Sequence, residues 1–201
     1  MRVALFQFAT NAVGKVPAVF EHMLALYLIN ALEKAAGLAV VDLTPSPREG
    51  EVLSLARMLT QAEVGEAAQR GGADLSIWGA LRFRPEGEPV IGGLEVTMLV
   101  ARNQERAPVE SRRFTFDALR GDVSAARLEV DIPALEDLVE EMLVEVGDIL
   151  GLDRRALRLD RIGEGLSSSD RAVIYFIYAL RIATEPEAKM RLYLKAISAD
   201  P

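Results

Sequence analysis

Residues 2–9 (RVALFQFA) set Val3 and Leu5, with Gln7 in step, against Ala4, Phe6 and Phe8. Apolar side chains on both sides predict a strand covered on both faces. From residue 17 the period changes. Val19, Phe20, Met23, Leu24, Tyr27, Leu28 and Leu32 recur at three and four, and Leu26 and Ile29 widen the stripe. The pattern predicts a largely buried helix over 17–36, entered at Pro17 and stopped at Gly37. Residues 38–43 (LAVVDL) read as a second short strand, and TPSPREGE after it as a turn-rich loop. A second helix is predicted over 51–70, from Leu53, Leu55, Ala56, Leu59, Val64 and Ala67, ending at Gly71-Gly72.

The period then becomes two. Leu75, Ile77, Leu81 and Phe83 alternate with Ser76, Trp78, Ala80 and Arg82. PEGEP reads as a hairpin loop, and Leu94, Val96, Met98 and Val100 line the next strand. QERAP is another turn, and residues 109–119 a fifth strand. Three strands on short loops predict an antiparallel meander. Residues 131–150 form a third helix, with Asp131 as cap and Leu135, Leu138, Val139, Met142, Leu143, Val146 and Ile149 as its buried stripe. Residues 153–169 are polar, with two glycines and three serines, and read as a linker. Residues 170–201 read as two helices broken near Thr184-Glu185-Pro186. The expected fold class is α/β (α+β), a mixed sheet of about five strands in the order β-α-β-α-β-β-β-α with helices packed on it. A C-terminal helix pair follows. The expected units are 1–152, a linker at 153–169, and 170–201.

Half of the 201 residues are hydrophobic and 26% are charged, a globular composition. There is no cysteine, which excludes thiol nucleophiles, disulfides and Cys-ligated metals. The one histidine, His22, has no acid three or four residues away and reads as a surface or core-edge residue. The net charge of −7 disfavours nucleic acid as a partner. The most apolar run, 23–32, is half the length of a bilayer crossing. The chain is expected to be soluble and cytoplasmic, or periplasmic where an export signal has been removed. Nineteen of the 23 basic residues are Arg, and Asn and Gln together number seven. That composition suits a heat-tolerant bacterial source or a GC-rich genome.

Several groups invite chemistry. Thr10, Asn11, Gly14 and Lys15 lie in a loop (10–16) between a strand and a helix N-terminus, where free N–H groups meet anions. Gly14-Lys15 echoes a phosphate loop, but Ala9 and Val16 stand where its first glycine and its hydroxyl belong. Gly163–Ser169 (GEGLSSS) reads as linker. Glu140 and Glu141 occupy the polar side of the third helix, either as a solvated face or as a docking surface for a basic partner. Arg82, Arg84, Arg102, Arg112 and Arg113 gather on the meander. They either blunt a sheet edge or pair with the acidic helix of another copy. Tyr178 and Tyr193 lie on the C-terminal helices and complete a candidate partner surface. No catalytic residue, metal site or cofactor is predicted.

The phrase Gly72-Ala73-Asp74, a strand from Leu75 to Trp78, then Gly79 and a meander resembles TolB amino-terminal-like domains, the wider group of FlgO and CsgG type domains. The resemblance covers roughly residues 1–150. It implies an anticodon-binding-like fold and a part in assembly or interaction instead of catalysis. The tail is similar to a tetratricopeptide repeat: Tyr193, Ala196 and Pro201 match the aromatic, alanine and proline of its second helix. Ala179 sits two residues too close to Ala196, and Lys189 stands where a small residue is usual. A single repeat cannot bury its own face. Either it packs on the preceding domain or further repeats follow Pro201. The expected function is a protein-interaction scaffold with a protein partner and possible homo-oligomers. The alternative is a small-ligand, nucleotide or anion sensor using loop 10–16.

Overall fold

The computed structural model describes residues 1–12, 14–43, 57–87, 90–103, 108–183 and 185–200. The described chain is mixed α/β, with one curled sheet of seven strands. In order it runs β1 (Arg2–Thr10), α1 (Lys15–Lys34), β2 (Ala39–Asp42), α2 (Gln61–Arg70), β3 (Leu75–Gly87) and β4 (Val90–Arg102). Then come β5 (Val109–Phe116), β6 (Leu119–Asp122), β7 (Arg127–Val130), α3 (Ile132–Leu150), α4 (Asp170–Ile177) and α5 (Pro186–Ala199). The strand order is β2-β1-β3-β4-β6-β7, with β5 also on β4. β1 is parallel to β2 and β3, and the remaining pairs are antiparallel.

Strand β1 divides the interior. Val3 and Leu5 point into the larger core with α1 and α3, while Ala4 and Phe6 join α2 and Trp78 in a smaller one. Alternation of side chains across a strand dictates this split. The expectation for Phe8 is corrected here. It lies in the larger core, because the β1–β3 register shifts between Leu5 and Phe8 and reverses the parity beyond. The Phe8 ring then lies against Gly79. A Cβ there would overlap the Thr97 carbonyl oxygen and come 2.8 Å from Phe8 Cε1. Only glycine fits that position.

Helix α1 is long and apolar enough to cross a membrane by length and composition. Here it is the central helix, buried from Val16 to Leu32 on most of its circumference. It ends three residues before Gly37, which takes φ +65° and turns the chain toward β2. α3 starts at Asp131, whose side chain accepts from the Ala134 N–H at 3.3 Å. Its predicted stripe is buried but for half-exposed Ile149.

Three expectations change. α2 begins at Gln61, not at 51. Thr60 accepts from the Glu63 N–H, and the Glu63 carboxylate accepts from the Thr60 N–H at 2.8 Å, a reciprocal cap that sets the start. Residues 51–56 lie outside the described residues, as do all of TPSPREGE, most of QERAP, the end of PEGEP, Val13 of the loop 10–16, Thr184 and Pro201. The fifth strand stops at Phe116, and two further strands, β6 and β7, follow where five strands in all were expected. Each is four residues long with two inward side chains, too short for a periodic signal. The stretch 153–169 is held against the body. Its Leu157 is buried, the Arg158 N–H donates to the Ala35 carbonyl at 2.9 Å, and the Ser167 carbonyl accepts from the Tyr27 hydroxyl at 3.2 Å.

The apolar anchoring of the C-terminal hairpin comes from its first helix. α4 sends Val173, Ile174 and Ile177 into the larger core. The chain continues through a π-turn, Tyr178–Ile182, into α5, which has no buried residue and packs against α4 and that turn.

Candidate functional site

The residues singled out from the sequence fall in four separate places. Loop 10–12 caps the end of β1. Thr10 Oγ1 accepts from the Ala12 N–H at 3.2 Å. Asn11 accepts from the Phe83 N–H at 2.8 Å and donates to the Phe83 carbonyl at 3.3 Å, which ties the loop to β3. Both side chains are thus engaged in holding the backbone. Gly14 precedes α1 without a side-chain cap, and Lys15 is exposed.

His22 and its neighbour Glu21 are buried, at 5% and 2% exposure. Neither carboxylate oxygen of Glu21 makes a well-formed hydrogen bond. Burial pushes its pKa up to about 8, the Gln7 side chain acting weakly the other way. Burial, helped by the Arg181 charge and opposed by Asp42, lowers His22 to about 4. At neutral pH this pair is therefore a carboxylic acid beside a neutral imidazole. Arg181 meets Asp42 at 2.6 Å and ties the hairpin turn to β2. The burial of Glu21 had no signal in the sequence.

Glu140 and Glu141 line a groove of about 660 Å³ with Asp137, Asp148, Arg113 and Arg154. Among the described residues, no group of three or more His, Asp or Glu side chains converges as a metal-ligand set. The meander arginines do not form one cluster. Arg112 reaches Glu145 at 2.5 Å, Arg84 pairs with Asp117, and Arg102 approaches the Ile149 and Leu150 carbonyls at 3.5 Å. Arg82 and Arg113 stay exposed on the opposite sheet face. Tyr178 lines a groove of about 870 Å³ between α4 and the β6–β7 hairpin.

Tyr193 belongs to a different surface. Its ring lies 6.1 Å from that of Phe176 on α4. Nine large hydrophobic residues are exposed among the described residues, and five of them are on this hairpin: Phe176, Leu180, Met190, Leu194 and Ile197. The last three are 61%, 57% and 64% exposed. Phe176 and Ile197 also line an apolar pocket of about 260 Å³ with Leu26 and Val173.

No family model and no curated protein matches the chain. Two solved structures of PelC dodecamers from Paraburkholderia phytofirmans are similar to it at 19% and 20% identity, with TM-scores of 0.35 and 0.34. Each match covers 62% of this chain and 78% of the PelC chain.

Proposed function

We propose that the chain is a non-enzymatic protein-interaction module, in which the α/β body carries a helical hairpin whose apolar face receives a protein partner. The observation behind this is α5: a helix with no buried residue that turns Met190, Leu194 and Ile197 to solvent. Leaving these three side chains exposed forgoes roughly 1.5–3 kcal/mol of burial free energy for each. A covering partner recovers that energy. The helix pair supports a tetratricopeptide-like reading, since Tyr193 and Ala196 are half-buried on the side of α5 that faces α4. The order β1-α1-β2-α2-β3 followed by a meander supports the TolB amino-terminal-like reading of the first 150 residues.

The test is capture from lysate of the source cell by the full chain and by the double variant Leu194→Glu/Ile197→Glu. Both positions are exposed, so the variant is expected to keep its circular dichroism spectrum and melting temperature. At least one protein should be retained by the wild type and lost from the variant. Identical captured sets would remove the hairpin as the docking surface.

A further inference from the structure

On the premise that the hairpin is a docking surface, we propose that its partner is an amphipathic α-helix carrying carboxylates beside its apolar stripe. The shape argument comes first. Met190, Leu194 and Ile197 fall within about 60° of one another around α5, at 3.6 residues per turn. Phe176 lies on α4 and Leu180 in the π-turn that follows it, and the Phe176 ring lies 6.1 Å from that of Tyr193. The row on α5 faces solvent beside the crevice with α4, and the 260 Å³ pocket, lined by Phe176 and Ile197, lies where the two helices meet. Such a crevice takes the i, i+3, i+4, i+7 side chains of a third helix.

Charge narrows the partner further. The molecule is acidic overall, with a net charge of −7, yet α5 carries Lys189, Arg191 and Lys195 against Glu187 alone. These bases border the apolar stripe. Arg191 meets Glu187 at 3.8 Å with both side chains exposed, a pair of little worth. Lys195 lies over the Tyr175 ring at 5.5 Å, and Lys189 has no ion-pair partner among the described residues. Arg191 and Lys195 lie on one side of the stripe and Lys189 on the other, so carboxylates on both flanks of the incoming helix complement them.

A second copy fits less well. The acidic helix of this chain, α3, turns its apolar side into the core, so it offers carboxylates without an apolar stripe. Antiparallel pairing of α5 with itself, centred near Tyr193, sets Arg191 of one copy against Lys195 of the other, a like-charge contact.

The experiment uses a displayed library of helical peptides about 18 residues long. Leucines are fixed at i, i+3, i+4 and i+7, the flanking positions are randomised, and selection is on the full chain. Selected peptides should be enriched in Glu and Asp at the flanks. Their affinity should fall about tenfold or more with Leu194→Glu, several-fold with Arg191→Glu/Lys195→Glu, and further as salt rises. Neutral or basic flanks on peptides that still depend on Leu194 would overturn the acidic partner and leave the docking role standing. Binders indifferent to Leu194→Glu would overturn both. So would a concentration-dependent dimer of the wild type that Leu194→Glu dissolves, since a second copy would then cover the face.

Discussion

Glu21 and His22 are neighbours in sequence with opposite effects on stability. The Glu21 pKa rises from 4.5 to about 8 on folding. Between those values the folded state holds a proton that the unfolded state has released, so stability falls as pH rises. The His22 pKa drops from 6.5 to about 4. In that window the unfolded state takes a proton the folded state refuses, so stability falls as pH falls. From about 4.5 to 6.5 the two cancel. Above 6.5 only Glu21 acts, at about 1.4 kcal/mol per pH unit until pH 8. A melting-temperature series should show a loss between pH 6.5 and 8 that Glu21→Gln removes. An unchanged alkaline limb in that variant would refute the assignment. None of this is legible locally. His22 reads as a surface or core-edge residue until Asp42 and Arg181, from distant segments, close over it.

At the scale of elements, helices were easier to foresee than short strands. The stripe of α1 and the Asp131 cap of α3 are written in spacing and residue type. The Thr60–Glu63 cap was also present as a sequence signature, yet the apolar run upstream of it drew the predicted helix back to residue 51. A register shift such as the one before Phe8 leaves no mark on periodicity. The apolar row Met190, Leu194 and Ile197 was visible as a stripe, but a stripe does not say whether anything covers it. Because α5 has no fully buried residue, its opening needs only part of the global unfolding energy. Amide hydrogen exchange should be fastest in α5 and slowest in α1. A bound partner helix should slow the α5 amides alone. Equal protection of α5 and α1 in the free chain would contradict the exposed face.

Taken whole, the molecule has its polar chemistry dispersed: a tied loop after β1, a neutral buried pair on α1, an acidic groove beside α3, and an apolar hairpin. The composition foreshadowed this by excluding thiols and multi-histidine centres. What it could not foreshadow was which face lacks a cover, because that depends on how residues 153–182 pack against α1. The two cores also differ in what they feel. The larger one includes α4, whereas the smaller one is α2, Ala4, Phe6 and Trp78.

Trp78 is the sole tryptophan, 1% exposed, and its indole N–H donates to the Leu59 carbonyl at 3.1 Å. Nature has thereby placed a single optical probe in the smaller compartment, away from α4 and α5. Its emission should shift to the red when α2 lifts off the sheet and stay constant while ligands come and go at the far helices. A fluorimeter trained on this protein will thus see it melt, yet stay blind to any ligand at the hairpin whose binding leaves the sheet at rest. Any colour change on titration would report a signal carried through the body.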